Sequence, residues 1–297
     1  MSSLPFLSII IPTYSRPDQL ATCLRALADQ RYPCDRFEVI VVDDGSPSPL
    51  NPVVDAFRAH IELTLLRQSN AGPSLARNTG AARARGALLA FTDDDCVPDP
   101  GWLSALAGTF RSYPEALLGG QTIGVLTTNP YATASQLLVS YVYAYYNRDP
   151  DEARFFASNN MAVPARLFLE IGGFNTVQTR AAAEDRELCD HWISLGYRLR
   201  YVPDAVIRHA HALTPGGFWR QHFNYGRGAV EFRRARSGRG VPPLPIEPLS
   251  FYADMLRFPF AEQSGFRALR HSALIGFSQL ASTVGFFWEA VGRRLRP

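Results

Sequence analysis

The chain has 297 residues; 46% are hydrophobic, 30 are basic and 27 are acidic, and the formal net charge is +3. All 30 basic residues are arginine, which excludes mechanisms that need a lysine: Schiff-base formation, pyridoxal phosphate anchoring and phosphate binding by a P-loop lysine. The length predicts a large core and about two domains. The four cysteines are widely spaced, so the sequence indicates neither a disulfide framework nor a zinc cluster.

The charge is unevenly distributed along the chain. Residues 1–207 carry 17 arginines and 22 acidic residues, whereas residues 208–297 carry 13 arginines and five acidic residues. The basic C-terminal part predicts an anionic partner, either a membrane surface or a phosphorylated lipid. The amino terminus, MSSLPFLSIIIPTY, has no basic residue and is not typical of a signal peptide, so we expect a cytoplasmic, reducing location.

The first part of the chain alternates short β-branched runs with segments of helical periodicity. Strands are predicted at 7–11, 37–42, 63–67 and 87–92, and helices at 18–30, 51–60 and 74–85. This alternation predicts an α/β fold with a mostly parallel sheet and helices on both faces. In such sheets, ligands bind beyond the carboxyl ends of the strands.

The regular alternation of predicted strands and helices ends after about residue 115, although local patterns still predict helices and strands. A helix is predicted at 182–195, a short strand at 203–211 and a linker at 236–248. The segment 273–291 is apolar but interrupted by polar residues and bordered by arginines, which favours an interfacial helix; a buried terminal helix is the alternative. We therefore divide the chain into three parts, 1–118, 119–235 and 236–297, of which the last is a linker with a basic apolar tail.

Polar side chains follow three of the predicted strands at the point where each strand ends. Pro12-Thr13-Tyr14 follows the first, Asp43-Asp44-Gly45-Ser46 the second, and Asp93-Asp94-Asp95 the fourth. Three consecutive carboxylates repel one another unless a positive charge is present. A hard divalent cation with oxygen ligands, Mg²⁺ or Mn²⁺, meets that need, and a solvated acidic turn is the simpler alternative.

Six motifs in order resemble the donor half of glycosyltransferase family 2. They are IIIPTY at 9–14, VVDDGS at 41–46, NAGP with ARN at 70–78, FTDDD at 91–95, EDREL at 184–188 and YVPD at 201–204. The resemblance implies a GT-A fold, which is a Rossmann-like α/β arrangement with a central, mostly parallel sheet, here with a C-terminal helical extension. It also implies an inverting transfer of a sugar from a nucleotide-diphosphate donor, with Mn²⁺ or Mg²⁺ on the diphosphate. Under this resemblance, 1–118 is the donor-binding part and 119–235 is the acceptor and catalytic-base part.

The resemblance assigns roles to individual residues at the donor site. The residues expected to bind the nucleotide sugar are Pro12, Thr13, Tyr14, Arg16, Asp43, Asp44, Arg77, Asp93 and Asp94. Asp44 resembles the carboxylate that reads the base edge, but a carboxylate accepts hydrogen bonds from uracil or from guanine, so the base stays open among UDP, GDP and dTDP. Asp95 resembles the direct metal ligand, with Asp93 as a second candidate.

Glu184 and Asp185 resemble the acidic pair that supplies the catalytic base of the family. In an inverting displacement, a carboxylate must take the proton of the acceptor hydroxyl as the new bond forms. We place Asp185 ahead of Glu184 in this role. A helix cap is the simpler alternative for an acidic pair at the start of a helix.

Residues further along the chain are candidates for the metal shell and for the acceptor side. His209 and His211 alternate on the predicted strand and point to opposite faces, so at most one is expected to reach the metal, with a lean to His209. The run at 217–228 resembles the loop of the family beside the acceptor. Its candidates for contact with a sugar or diphosphate are Trp219, Arg220, Tyr225 and Arg227.

The predicted partners are a nucleotide-diphosphate sugar, a glycan or lipid-linked acceptor, and an anionic membrane surface at the inner face of the cell membrane. Nucleic acid is not expected because no known binding motif accompanies the basic residues. Two other functions stay open at this point: a catalytically silent nucleotide-sugar-binding subunit, and a sugar-phosphate nucleotidyltransferase. The loop Pro12–Arg16 is not the glycine-rich, arginine- and lysine-bearing loop of the nucleotidyltransferases.

Overall fold

The computed structural model describes residues 4–176 and 183–294 of the chain. Within these residues the strands are β1 (Leu7–Thr13), β2 (Phe37–Asp43), β3 (Leu63–Arg67), β4 (Leu88–Phe91), β5 (Cys96–Pro98), β6 (Leu117–Gly124), β7 (Met161–Pro164) and β8 (Leu199–His209). The helices are α1 (Pro17–Ala28), α2 (Asn51–Asp55), α3 (Pro73–Ala81), α4 (Trp102–Ser112), α5 (Pro130–Tyr146), α6 (Ala165–Glu170), α7 (Glu184–Ser194), α8 (Pro215–Gly238), α9 (Leu249–Glu262) and α10 (Gly265–Arg294).

The strands form one sheet in the order β3-β2-β1-β4-β7-β6-β8-β5. The first four strands in this order are parallel, as the alternating pattern of the sequence predicts. The pairs β4–β7, β6–β7 and β5–β8 are antiparallel. The α/β fold is thus confirmed, with a parallel half from the first part of the chain and antiparallel strands added to it.

Strand β1 is buried on both faces of the sheet, which explains its uninterrupted apolar run. Ile9 and Ile11 belong to a core cluster with residues of α1 and α4. Ile10 faces the opposite side, where α3 approaches closely because it has a glycine at the contact. A Cβ on Gly80 would lie 2.6 Å from Ile10 Cγ2, so a larger residue would push the helix off the sheet.

The chain divides into two compact units, each built from two separate stretches of sequence. The first, Met1–Ile123 with Asp149–His209, contains the sheet and the helices that flank it. The second, Gly124–Arg148 with Ala210–Pro297, contains α5, α8, α9 and α10. Its core includes Tyr141, Phe218, Phe251, Met255 and Ile275. The division into donor, acceptor and tail parts at residues 118 and 235 concerns ligands and stays a prediction.

Several element boundaries differ from the predicted ones. Helix α3 ends at Ala81 rather than near residue 85, and α2 ends at Asp55 rather than near residue 60. Strand β8 begins at Leu199, earlier than predicted, and ends at His209. Helix α10 begins at Gly265, eight residues before the apolar segment used to predict it, because residues 265–272 continue the helical spacing. None of the described helices is long and apolar enough to cross a membrane.

Candidate functional site

The parallel strands bring the predicted polar clusters to one edge of the sheet. Thr13, the last residue of β1, is aligned with Asp43, the last residue of β2. On the other side of β1, Ile10 is aligned with Phe91 at the end of β4, so Asp93-Asp94-Asp95 follows directly. The Thr13 hydroxyl donates a hydrogen bond to Asp94 Oδ2 at 2.8 Å, which joins the first and third clusters.

Arg16 and His209 contact the carboxylates of the aspartate triplet. Arg16 Nη1 lies 3.1 Å from Asp94 Oδ1 and 3.2 Å from Asp95 Oδ2, so one guanidinium partly neutralises both acids. Asp95 Oδ1 lies 3.2 Å from Nε2 of His209, at the end of β8. Burial raises the pKa of Asp94 to about 6, against the opposing effects of Arg16 and Thr13. The edge therefore concentrates negative charge that requires cations.

A buried arginine links the triplet to the acidic pair at the start of α7. Arg77 on α3 is only 3% exposed; its Nη2 lies 2.6 Å from Asp93 Oδ1 and its Nη1 lies 3.3 Å from Glu184 Oε1. Its guanidinium also lies over the ring of Phe174, 5.6 Å from the centroid. Burial alone would lower the pKa of Arg77, but the two carboxylates outweigh it and raise the pKa. The sequence predicts that Arg77 binds the nucleotide; its contacts in this structure are with carboxylates.

Asp185 is held at the first turn of α7 by backbone groups. Its Oδ1 accepts a hydrogen bond from the Arg186 amide at 2.7 Å, and the Ser158 backbone also hydrogen-bonds to it. Desolvation, followed by repulsion from Glu184, raises the pKa of Asp185 to about 7. A carboxylate with such a pKa is suited to accept a proton near neutral pH. Ser158, which belongs to the Ser158-Asn-Asn-Met161 run, carries no predicted role from the sequence.

The aspartates after β2 organise the neighbouring loop. Asp44 is buried, and its carboxylate accepts hydrogen bonds from the Gln68 side chain and from the amides of Ala71 and Gly72, at 2.8 to 2.9 Å. Asp43 Oδ1 accepts a hydrogen bond from the Ser46 amide at 2.8 Å. Three acceptor positions of Asp44 are therefore used within the chain, and a carboxylate has about four. The loop contacts were not predicted; the NAGP motif was their only sequence signal.

The residues at the end of β1 differ in exposure. Pro12 and Thr13 are buried as part of the strand, whereas Tyr14 is 47% exposed. Ser15 has a positive φ of 57°, and its amide donates a hydrogen bond to Ser46 Oγ at 2.9 Å. The loops after β1 and β2 are thereby tied together, with the Tyr14 ring on the outside.

The second unit contains the remaining predicted residues. His211 Nε2 lies 3.0 Å from Gln221 Oε1, and the Gln221 amide donates to the hydroxyls of Ser135 and Tyr225 at 3.0 Å. Because the Gln221 oxygen accepts, His211 carries its proton on Nε2 in this arrangement. Gln221 lies in the run at 217–228 but was not among its candidates; the structure adds it as the residue that contacts His211.

The acceptor-side candidates on α8 have different environments. The ring of Trp219 lies 5.1 Å from that of Phe277, and Arg220 is exposed. Arg227 Nε lies 2.7 Å from Glu289 Oε2, so this arginine makes an ion pair within the unit. Contact of these residues with an acceptor stays a prediction.

Comparisons with known proteins agree with the resemblance seen in the motifs. The profile of the family described as "Glycosyl transferase family 2" matches residues 8–172, more than half of the chain. The chain is 29% identical over 234 residues to "Glycosyltransferase AglE" of Haloferax volcanii, covering 77% of this chain and 75% of that protein. It is 29% identical to a "Validoxylamine A glucosyltransferase" of Streptomyces hygroscopicus, covering 70% of this chain and about half (54%) of that longer protein.

Solved structures support the GT-A fold. The mannosyltransferase PcManGT from Pyrobaculum calidifontis, in complex with GDP-Man and Mn²⁺, matches with a TM-score of 0.63 and 21% identity, over 99% of this chain and 81% of that one. TarS 1-349 of S. aureus in complex with UDP-GlcNAc matches with a TM-score of 0.55 and 17% identity, over 97% and 92% of the two chains. The predicted fold is therefore confirmed, and the family match shows that the chain belongs to glycosyl transferase family 2 and is a glycosyltransferase.

Proposed function

We propose that the enzyme moves a sugar from a nucleotide-diphosphate donor to a hydroxyl of a glycan or lipid-linked acceptor, with inversion at the anomeric carbon and with a divalent cation. The observation that carries the proposal lies within the first unit. A buried carboxylate beside an imidazole, Asp95 with His209, stands at the same sheet edge as Arg77, which links the aspartate triplet to the acidic pair of α7.

Asp95 and His209 fit a divalent metal by their chemistry. Their ligand atoms lie close together, with 3.2 Å between Oδ1 and Nε2, and carboxylate oxygen with imidazole nitrogen suits Mn²⁺. When bound, the cation would neutralise the diphosphate and stabilise it as the leaving group. Asp93 and His211 stay predicted ligands: Asp93 is ion-paired with Arg77, and the Nε2 atom of His211 is hydrogen-bonded to Gln221.

Asp185 is the better candidate for the base because the two acids of the pair differ in their contacts. The Glu184 carboxylate is engaged by Arg77, whose Nη1 lies 3.3 Å from Glu184 Oε1. Asp185 has a pKa raised to about 7 by desolvation and by Glu184. Deprotonated Asp185 would accept the proton of the acceptor hydroxyl as that oxygen attacks the anomeric carbon, and the nucleoside diphosphate would leave from the opposite face.

The nucleotide is assigned to the loops that follow β1 and β2. The exposed Tyr14 ring offers a surface on which a base can stack, and Asp44 keeps about one acceptor position for a base N–H. The two structural neighbours were solved with a purine and with a pyrimidine nucleotide sugar, so the base remains one of UDP, GDP and dTDP. We also propose that the enzyme works at the inner face of the cell membrane, which the basic C-terminal part supports.

A thermal-shift panel tests the donor and metal together. Sugars of UDP, GDP and dTDP are added with Mn²⁺, and we expect one nucleotide to raise the melting temperature by several degrees through mass action. Asp95→Asn and His209→Ala should remove the Mn²⁺-dependent part of the shift, whereas Asp35→Asn, at an exposed carboxylate, should keep it.

The outcomes separate the parts of the proposal. A metal-dependent shift of wild-type size in the Asp95 variant would remove Asp95 as a ligand. Melting that no nucleotide sugar changes, with or without Mn²⁺, would overturn the proposed donor class. The configuration of the product, read by NMR from the anomeric proton, distinguishes inversion from retention.

A further inference from the structure

Helix α10 presents a continuous row of exposed apolar side chains. Eight large ones are between 41% and 77% exposed: Phe266, Leu269, Phe277, Leu280, Val284, Phe287, Trp288 and Val291. Their spacing confines them to an arc of about 100° on a helix of 3.6 residues per turn. With a rise of 1.5 Å per residue, the row is about 38 Å long. We call these eight residues the apolar stripe.

The packing of α10 on α8 accounts for the direction of the apolar stripe. The two helix backbones meet at glycines: a Cβ on Gly226 would lie 1.8 Å from the Ser282 carbonyl oxygen, and one on Gly285 would lie 2.0 Å from that of Phe223. The buried residues of α10, including Ile275, lie on the helix side that carries Gly285. The apolar stripe lies on the opposite side of the helix. The rings of Phe277 and Trp288 also contact rings of α8, but all eight residues stay at least 41% exposed.

Helix α9 adds a second, shorter row beside the first. Tyr252, Leu256 and Phe260 are exposed at intervals of four residues. Leu256 Cδ2 would lie 3.8 Å from a Cβ on Gly276, and the Leu256 carbonyl accepts a hydrogen bond from Ser272 on α10 at 2.8 Å. The two rows therefore adjoin. Exposed apolar surface of this extent marks an interaction site rather than ordinary surface variation.

The charge around the apolar stripe is positive. The second unit contains 13 arginines and five acidic residues. The only acid within residues 265–292 is Glu289, which is buried and paired with Arg227, whereas Arg267 and Arg270 are exposed. On α9, Asp254 is paired with Arg257, and Glu262 lies at the helix end. A surface with this charge repels a second copy of itself and attracts an anionic partner.

We propose that the apolar stripe is a docking surface for an anionic lipid bilayer, on which α10 lies parallel to the membrane plane. The apolar side chains would enter the boundary between headgroups and acyl chains, and Arg267 and Arg270 would contact anionic headgroups. The inference rests on the proposed function, since it would hold the enzyme where lipid-linked acceptors are found.

Vesicle co-sedimentation tests the proposal with a closely matched pair of variants. Leu280 in the apolar stripe is 54% exposed, and Leu169 on α6 of the first unit is 53% exposed. We expect the wild-type protein to bind vesicles that contain phosphatidylglycerol more tightly than pure phosphatidylcholine, and less tightly at high salt. Leu280→Glu should weaken that binding about tenfold or more, whereas Leu169→Glu should bind like the wild type.

A second readout follows a single side chain. Trp288 is 67% exposed, and its entry into lipid should shift the tryptophan emission to shorter wavelength. Trp288→Phe should lose that shift.

Three results would overturn the proposal. The first is that Leu280→Glu binds vesicles as tightly as the wild type, and the second is that the wild-type protein does not bind anionic vesicles. The third is that the wild-type protein forms a dimer in ultracentrifugation, which Leu280→Glu dissociates, and that no vesicle binding is observed. The nucleotide-dependent melting shift should be unchanged in Leu280→Glu. If Leu280→Glu loses vesicle binding but keeps the melting shift, the result bears on the membrane surface alone. If the wild-type protein lacks the nucleotide-dependent melting shift, the result bears on the proposed donor alone.

Discussion

The sheet edge of the first unit and the helices of the second unit handle charge in opposite ways. At the edge, Arg16 and Arg77 are each placed between two carboxylates, and the aspartates also accept bonds from backbone amides. In the second unit, arginines such as Arg267 and Arg270 are exposed, and His222 is buried without a hydrogen-bond partner for either ring nitrogen within the described residues. The sheet edge thus pairs its charges within the chain, whereas these arginines of the second unit are exposed.

The chain has no lysine, and the two regions use different properties of arginine. A guanidinium has several N–H donors in one plane and can contact two carboxylates at once, whereas an ammonium is a compact point charge. Arg16 and Arg77 use that property at the edge, where the acids crowd one another. Under the proposed membrane contact, the exposed arginines of α10 would instead supply long-range attraction, which needs no defined geometry.

The largest effect is expected from a change at the proposed base. Asp185→Asn removes the proposed proton acceptor but keeps the size of the side chain, so transfer should fall by about 10²- to 10⁴-fold with little change in nucleotide binding. The measurements are the turnover number and the nucleotide-dependent melting shift. Asp190→Asn, one and a half turns further along α7, is the matched control and should keep its turnover.

The pH dependence of the reaction checks the same residue. Because desolvation and Glu184 raise the pKa of Asp185 to about 7, the base is increasingly protonated below neutral pH. The turnover number should therefore rise with pH up to about 7 and then level off. A turnover number that stays constant between about pH 5.5 and about pH 8 would contradict the assignment of Asp185.

The next effect in size concerns the buried arginine that links the two acidic clusters. Arg77→Gln leaves Asp93 and Glu184 without their cation, and loss of one partner from a buried ion pair costs about 3–5 kcal/mol of unfolding free energy. Arg85 is a matched control because it also contacts two glutamates but is more than half exposed. Arg85→Gln should change the free energy of unfolding much less in urea unfolding, because ion pairs of an exposed arginine contribute little. Equal losses for the two variants would contradict the special role of the buried arginine.

The sequence predicts the edge better than it predicts the contacts made there. Parallel strands place their carboxyl ends together, so the convergence of Thr13, Asp43 and the aspartate triplet follows from the alternating pattern. The partner of Arg77 does not follow, because Glu184 lies 107 residues away and only the folded chain brings the two side chains within 3.3 Å. Long-range ion pairs of this kind leave no local signal.

The helical unit shows the same limit in another form. The apolar periodicity of residues 273–291 predicts a helix, but not which side of it faces the protein. That side depends on Gly226 and Gly285, whose close approach between α8 and α10 is a property of two distant segments. The sequence shows the basic composition of residues 208–297, whereas the exposure of the apolar stripe is determined by how α10 packs on α8.

The smallest effect is expected at His222, which lies in the core of the second unit between Phe218 and Tyr225. Burial lowers the pKa of His222 to about 4. The unfolded chain binds a proton there below about pH 6.5, so stability present above that pH is lost as the pH falls toward 4. The loss for this residue is at most about 3 kcal/mol.

His222→Phe should remove this pH dependence and stabilise the protein by about 1 kcal/mol at pH 7, because no unpaired nitrogen stays buried. Thermal unfolding at pH 5 and pH 7 measures both, with His60→Phe at an exposed histidine as the control. A His222→Phe variant less stable than the wild type at both pH values would show that His222 makes a favourable polar contact. It would contradict the view that polar groups are paired at the sheet edge but unpaired in the core of the second unit.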